Sequence, residues 1–597
     1  MFCHELLFWL SDMEADNENH QTNVVESESD ACGHECDHGN SHGSSSDGEN
    51  SVNDDDYDFE QRNASRFLGL LTCTNDVLPL EGMFMHTLRI RDPVFERVSF
   101  DSIKDDCLIH YEKMKETAEQ VLRNFDGQIS LSVDILRCQD AYEYMCLKAH
   151  FITEDWNLGN WVLNFRRINA TWEDDCLDGA ILKALRGWDI GNKIASITFL
   201  TDWVYDEGID NVKEYVQEMK KLQFNGQIFR LYCSADIFKS MVQDAFKVIS
   251  GTIRTIDELM YFGKPSYLWD LAYDRLKMAL ECEAKEEFGR EEYDNCDKPS
   301  ADEWKKVEGI CKLLESLYNA AKALFETKDA TANIYLQNLR EVRATLTKEA
   351  NSSDSFIRDV AAKMHERFEE YWKNMFFMLA IATVMDPRCK ITYFEFSSTK
   401  YGGNDDNTEV STVVLAIRSL YDNYNIQFPE TENRVSNPTS DDSGGESPRQ
   451  VKRRRLSSDD SSNHLEDYQK FIESTNQPLK SEIDMYLEEP VLPWTQDFNI
   501  LSWWRAASPR YPILSRIARD YLPVPMTVVT SMDAFFTIER EISPRYASLK
   551  PDLMNAIMCT RSWFPDELKS VVGSSLGFEE MLEEMDFVED LYLSLRH

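Results

Sequence analysis

Long apolar runs are missing from this chain. None reaches the roughly 18–20 residues that a membrane-spanning helix needs. The longest candidate, Met375 to Met385, follows Asn374 and ends at Asp386-Pro387. Basic residues are scarce: 63 Lys and Arg stand against 106 Asp and Glu, a formal charge of −43. Bulk charge therefore excludes strong general affinity for phosphates, and any DNA binding needs a local basic patch and is weak and salt-sensitive. Met1–Leu10 lacks the basic n-region and small-residue cleavage site of a secretory signal. The 14 cysteines form no dense framework, so reduced thiols in an intracellular soluble protein are expected. No repeat of solenoid period is present.

What is there suits a globular protein of several units. A chain of 597 residues with 42% hydrophobic content is too long for one compact core. Residues 1–62 are rich in Asp, Glu, Ser, Asn and Gly and reach Gln61 without a Lys or Arg. Such a stretch cannot bury enough apolar surface to offset its ordering entropy, so it reads as a disordered acidic tail. Cys32 and Cys36 sit there among His34, His38 and His42. A zinc finger needs apolar residues folded around its ligands; these have none, and no metal site is assigned. Residues 430–463 read as a disordered linker, and 571–597 as a second acidic tail.

Between Gln128 and Phe246 the periodicity changes. Ile129, Leu131, Val133 and Ile135 alternate with Ser130, Ser132 and Asp134, which predicts a half-buried strand. Further strands are expected at Tyr144–Thr153, Asn160–Ile168, Ile194–Leu200 and Gln227–Cys233. Helices are expected at Asp175–Leu185, Asn211–Leu222 and Ala235–Ile256. The order βββαβαβα is that of an α/β ribonuclease-H-like core with a mixed sheet. Long segments with helical spacing follow: Trp269–Lys285, Ala301–Thr327, Ala330–Lys348 and Asp354–Val384. The expected division is a helical N-terminal region at 63–127, the core at 128–258, a large all-α insertion and connection at 259–429, and a helical C-terminal region at 464–570.

Several motifs lie along this framework. Ser102-Ile103-Lys104-Asp105-Asp106-Cys107 precedes Tyr111-Glu112; His150-Phe151-Ile152 precedes Asp155-Trp156; Trp269-Asp270 opens the helical stretch. Met385-Asp386-Pro387-Arg388 is followed by Ser481–Pro490, Leu501-Ser502-Trp503-Trp504 and Tyr511-Pro512-Ile513-Leu514-Ser515. In this order and spacing they resemble the hAT transposase superfamily, especially its domesticated plant members. The resemblance implies a ribonuclease-H-like domain split by a helical insertion, and a C-terminal region that completes the core and mediates dimerisation. It also implies a BED-type zinc finger, with a Cys-x-x-Cys pair and later histidines. No such pattern precedes Ser65.

Enzymes of this fold cut DNA with two divalent cations held by three carboxylates. Asp134 matches the first acid in place and type, although a solvent-facing strand aspartate would look the same. The second is expected within Ile197-Thr198-Phe199-Leu200-Thr201-Asp202, where Leu200 takes its place and Asp202 comes two residues late. The family's nearby Cys-x-x-His reads Cys233-Ser234-Ala235-Asp236. The third acid aligns with Met532 or Asp533, and an aspartate there has a shorter reach than the expected glutamate. Asp134, Asp202 and Asp533 are thus remnant candidates, and Mg²⁺ or Mn²⁺ would matter only if that set were active.

Candidate DNA contacts are Arg166, Arg167 and Trp269; Trp269 matches a family tryptophan placed near displaced bases, while ordinary core packing is the plainer role. The run Lys452-Arg453-Arg454-Arg455 is a candidate nuclear import signal, read by an import receptor. Ser457-Ser458-Asp459-Asp460 beside it is a plausible phosphorylation site. Trp503, Trp504, Tyr511, Leu514 and Trp563 are candidates for homodimer assembly, with intramolecular packing as their alternative. The leading expectation is a nuclear, non-catalytic, transposase-derived dimer that acts on DNA or chromatin. An active metal-dependent transposase and a nuclear scaffold without DNA contact are the alternatives.

Overall fold

The computed structural model describes residues 54–74, 98–138, 142–168, 176–200, 206–259, 272–285, 298–325, 331–401, 406–428, 480–495, 497–528 and 548–564, with a few single positions between them. The chain enters through α1 (Asp54–Thr74) and α2 (Phe100–Asn124). The first of these begins inside the stretch expected to be a disordered tail. Ala64, Leu68 and Leu71 of α1 and Ile103, Cys107 and Met114 of α2 are buried. The two helices approach so closely at Gly69 that a Cβ there would lie 2.7 Å from Asp106 Cβ. Ser99 caps α2, accepting a hydrogen bond from Ser102 N. Lys193 finishes it, donating to the carbonyls of Leu122, Arg123 and Phe125 at 2.8, 2.7 and 2.5 Å. A cation at those orphaned carbonyls also offsets the helix dipole.

The sheet follows in the expected order. It comprises β1 (Ile129–Cys138), β2 (Tyr142–Ile152), β3 (Leu158–Ile168), β4 (Ile194–Phe199) and β5 (Arg230–Tyr232), arranged β3-β2-β1-β4-β5. The β1–β2 and β2–β3 pairs are antiparallel, and the β1–β4 and β4–β5 pairs parallel. With α3 (Leu177–Trp188), α4 (Asp206–Met219) and α5 (Ser234–Val248) interleaved, this is a ribonuclease-H-like core.

Three local expectations need correction. β1 is buried on both faces, not half exposed, because Ser130, Ser132 and Asp134 are at most 5% exposed: it is a central strand, and both faces of the sheet are covered there. β5 is short because Phe224, Asn225 and Gly226 turn the chain through left-handed φ values of 51, 53 and 77°, so residues 227–229 are still completing the turn. The single helix expected over 235–256 is broken at Ile249, whose φ and ψ of −113 and 26° are not helical; α6 (Ser250–Leu259) resumes beyond it.

The helical part comprises α7 (Ala272–Lys285), α8 (Ala301–Phe325), α9 (Tyr335–Glu349), α10 (Ser355–Val384), α11 (Thr392–Tyr401) and α12 (Asp406–Gln427). Asp354 caps α10 by accepting from Phe356 N at 2.9 Å. The last turns of α10 are apolar on every side, and Met378 to Val384 is wholly buried. Arg367 of α10 reaches Asp244 of α5 at 3.1 and 3.2 Å, fastening the long helix to the sheet layer. Among the described residues, no helix is long and apolar enough to cross a membrane.

Four C-terminal helices close the structure: α13 (Glu482–Glu488), α14 (Ile500–Ala507), α15 (Pro512–Tyr521) and α16 (Pro551–Trp563). They return to the sheet at several points. Asp520 accepts from Gln128 N at 2.8 Å, at the start of β1. Pro525 accepts from Thr198 Oγ1 at 2.6 Å, and Met526 accepts from Ser234 N at 2.9 Å. Helix α16 covers the free edge of β3, where Val162 N and Phe165 N donate to Ser562 Oγ and Asn555 Oδ1, both at 2.8 Å. An uncovered edge strand would invite pairing with another chain.

Candidate functional site

One face of the sheet carries a row of polar side chains that includes the candidate acid Asp134. Because strand side chains alternate, Ser130, Ser132 and Asp134 share a face of β1. The antiparallel register sets His150, Lys148 and Cys146 opposite them. On the other side, Ser130 and Ser132 stand level with Ser196 and Thr198 of β4. Continuing that parallel register by two residues brings Leu200 level with Asp134. Leu200 is half-buried and packs against the hydrophobic core.

Asp134 is 5% exposed and has partners within the chain; it is not the solvent-facing aspartate that the sequence left open. Its opposite neighbour on β2 is Cys146, and the neighbour beyond Ser132 is Lys148. Among the described residues, the strand neighbours of Asp134 therefore supply no second carboxylate, and Lys148 stands on the same face. Among the described residues, no group of three His, Cys, Asp or Glu side chains is placed to hold a metal ion. Of the three candidate acids, Asp134 alone lies among the described residues. Asp202, Met532, Asp533, Trp269, the run Lys452–Arg455 and the Cys32/Cys36 cluster lie outside the described residues.

The polar face is instead tied together strand to strand. Ser196 Oγ donates to Ser130 Oγ at 2.9 Å. His150 lies between Ser132 Oγ and Asn160 Oδ1, 2.8 Å from each. The amide oxygen can only accept, so Nδ1 carries the proton and Nε2 accepts from the serine. Ser132, His150 and Asn160 thus stand in the order of a nucleophile, base and orienter. Ser132 is 2% exposed in mid-strand, however, and no substrate carbonyl can reach its oxygen. The line is a cross-strand polar ladder.

Burial lowers the His150 pKa to about 4, with Lys148 acting in the same direction and the Asn160 hydrogen bond opposing it. A histidine kept neutral in the fold while the unfolded chain protonates it near pH 6.5 loses stability as pH falls. Unfolding free energy is expected to drop by about 1–3 kcal/mol between pH 6.5 and 4. In His150→Gln, urea titrations should show that slope flattened; an unchanged slope would assign the acid sensitivity to other groups.

Cys233 and Asp236 stand where the resemblance implies a Cys-x-x-His pair. Cys233 stands just before α5, as its N-cap residue, and anchors the C-terminal segment: Val528 N donates to its sulfur at 3.3 Å, and Thr527 Oγ1 lies 3.5 Å away. Burial holds its thiol above the ordinary range, so it stays protonated and serves packing. Nothing in the sequence pattern pointed to this tie between residues 233 and 528.

Arg166 and Arg167 lie on β3, level with Met145 and Tyr144. Arg167 is exposed and Arg166 half-buried, and both have partners in the chain. The five assembly candidates lie mostly inside the chain's own core. Trp504, Tyr511, Leu514 and Trp563 are 0, 1, 0 and 6% exposed, and Trp503 is half-buried. Trp504 Nε1 donates to Met385 O at 2.9 Å and Tyr486 OH to Val384 O at 2.8 Å. These bonds satisfy carbonyls at the end of α10. Trp504 rings pack with Tyr486 and Trp503 at centroid distances of 5.6 and 4.9 Å. The buried carboxylate of Glu482 accepts from Ile513 N and Leu514 N at 3.0 and 3.1 Å, a charge-assisted cap for α15.

The chain matches known proteins at three places. Residues 132–228 match a ZBED1 RNase-like domain, 333–424 a hAT-like transposase domain of RNase-H fold, and 482–564 the hAT family C-terminal dimerisation region. The zinc finger BED domain-containing protein RICESLEEPER 2 of Oryza sativa subsp. japonica is 30% identical over 508 residues, 79% of this chain and 70% of that protein. DAYSLEEPER of Arabidopsis thaliana, of the same description, is 27% identical over 82% of this chain and 71% of its own length. A putative AC transposase of Zea mays is 26% identical, over 84% of this chain and 66% of that protein.

Proposed function

We propose that this chain, which belongs to the hAT transposase family, is a nuclear protein that dimerises, contacts DNA or chromatin to influence gene expression, and cuts no DNA. The observation that supports the non-catalytic part is the β1–β4 register, which pairs Ser132 with Thr198 and, continued two residues past the paired strand, brings Leu200 to the level of Asp134. A leucine offers no metal ligand, and two-cation cleavage depends on carboxylates converging on one small volume. The match of residues 482–564 to a dimerisation region supports the homodimer. Entry to the nucleus is assigned to Lys452–Arg455 and an import receptor.

DNA contact is expected to be modest, since the chain carries a charge of −43 and only local groups such as Arg166 and Arg167 offer positive surface. The test uses the full chain with a labelled terminal-repeat duplex. With Mg²⁺ or Mn²⁺, no cleavage above that of Asp134→Ala is expected. Cleavage that disappears in Asp134→Ala would overturn the reading in favour of an active transposase. In the same samples, anisotropy should show binding that weakens steeply with salt; no binding even at low salt would favour the scaffold without DNA contact.

A further inference from the structure

In the stretch that matches the dimerisation region, most large apolar side chains are already used inside the chain. Ile483, Tyr486, Trp504, Leu514 and Ile517 are each at most 2% exposed. Val491 and Trp494 are the large apolar residues left open among the described residues of this stretch, at 39 and 57%. Both belong to the arm between α13 and α14.

That arm is held rigidly. Leu492 N donates to Pro387 O at 3.0 Å. The Arg388 guanidinium lies 4.2 Å from the Trp494 ring centroid and 4.3 Å from that of Phe498. Arg388 is fixed in turn by Asp386, at 2.7 and 3.0 Å. Pro490 and Pro493 restrict the backbone on either side. A tryptophan already ordered by such contacts loses little further entropy on docking, and tryptophan is enriched among residues that dominate interfaces.

The charge pattern selects the occupant. Residues Pro490 to Gln496 carry no charged side chain, in a chain whose net charge is −43. Like net charge opposes the association of two copies, and an uncharged patch adds no local repulsion to it. A symmetric pair brings the same patch from each side. We propose that the Val491–Trp494 arm is the surface on which a second copy of this chain docks, with the two arms meeting about a two-fold axis. This rests on the dimer proposed above.

Sedimentation velocity on the full chain over a concentration series tests it, beside Val491→Ser/Trp494→Ser and Trp494→Phe. The double variant should raise the dimer dissociation constant at least ~30-fold, whereas Trp494→Phe should stay close to wild type. A folded double variant with an unchanged constant overturns the proposal while leaving the dimer standing. A wild-type chain that stays monomeric throughout overturns the dimer itself. Hydrogen exchange on the wild type supplies a readout independent of variant folding: amides at 491, 492, 494 and 495 should gain protection as dimer forms. Protection confined to other segments would sink the proposal.

Discussion

Replacing Asp386 with Ala is expected to destabilise the fold by about 3–5 kcal/mol, because it leaves a largely enclosed arginine without its counter-charge. Asp386 is fully buried. Its carboxylate accepts from Arg388 N and Nε at 3.0 Å, from the Arg388 guanidinium Nη2 at 2.7 Å, and from Asn333 Nδ2 at 2.7 Å. The first of these turns the chain at the end of α10, and the last ties the turn to the short helix Ala332–Ile334. Removing the carboxylate strands four donors at once. Asp386→Asn keeps the shape and part of the bonding, so a smaller loss of about 1–3 kcal/mol is expected. Equilibrium urea unfolding checks both; a loss below 1 kcal/mol in Asp386→Ala would show that water reaches the site and replaces the carboxylate.

This turn illustrates what the sequence did and did not reveal. Met385-Asp386-Pro387-Arg388 was visible only as a short motif, weak alone. Its role depends on Asn333, Trp494 and Phe498, which come from distant parts of the chain, and no local pattern encodes that meeting. The sheet was legible because alternation of apolar and polar residues is a local property, and the order of strands and helices fixed its class. The covering of the polar face was not. Ser130, Ser132 and Asp134 look like the outer face of a half-exposed strand until residues 522–528 and the neighbouring strands close over that side. The Leu200 substitution could be read in sequence, and the register gave it a physical meaning: Leu200 follows directly on β4, and the pairing continued past Ser132↔Thr198 brings it to the level of Asp134. In the left-handed turn at Phe224–Gly226, Asn225-Gly226 is a turn signal, whereas the positive φ of Phe224 had none.

The second large effect concerns Trp563, which separates packing from assembly. Its Nε1 donates to Val162 O at 2.9 Å on the edge strand β3. Its ring stacks on Tyr111 of α2 at 5.7 Å and meets Trp188 of α3 edge-on at 5.6 Å. One side chain therefore joins the N-terminal helices, the sheet edge and the C-terminal helix. Trp563→Ala removes a large aromatic from a site only 6% exposed, and about 3–5 kcal/mol of stability should go with it. The carbonyl of Val162 also loses its donor, and with α16 loosened the β3 edge becomes available to another chain. If Trp563 serves packing, the loss in unfolding free energy should be the same at every protein concentration, accompanied by aggregation on warming. If it serves assembly, the loss should vanish at concentrations where the wild-type chain is monomeric. Denaturation at two concentrations, one on each side of the dimer dissociation constant, distinguishes these outcomes. The hydrogen bond to β3 and the two ring contacts, all within one chain, favour the concentration-independent result.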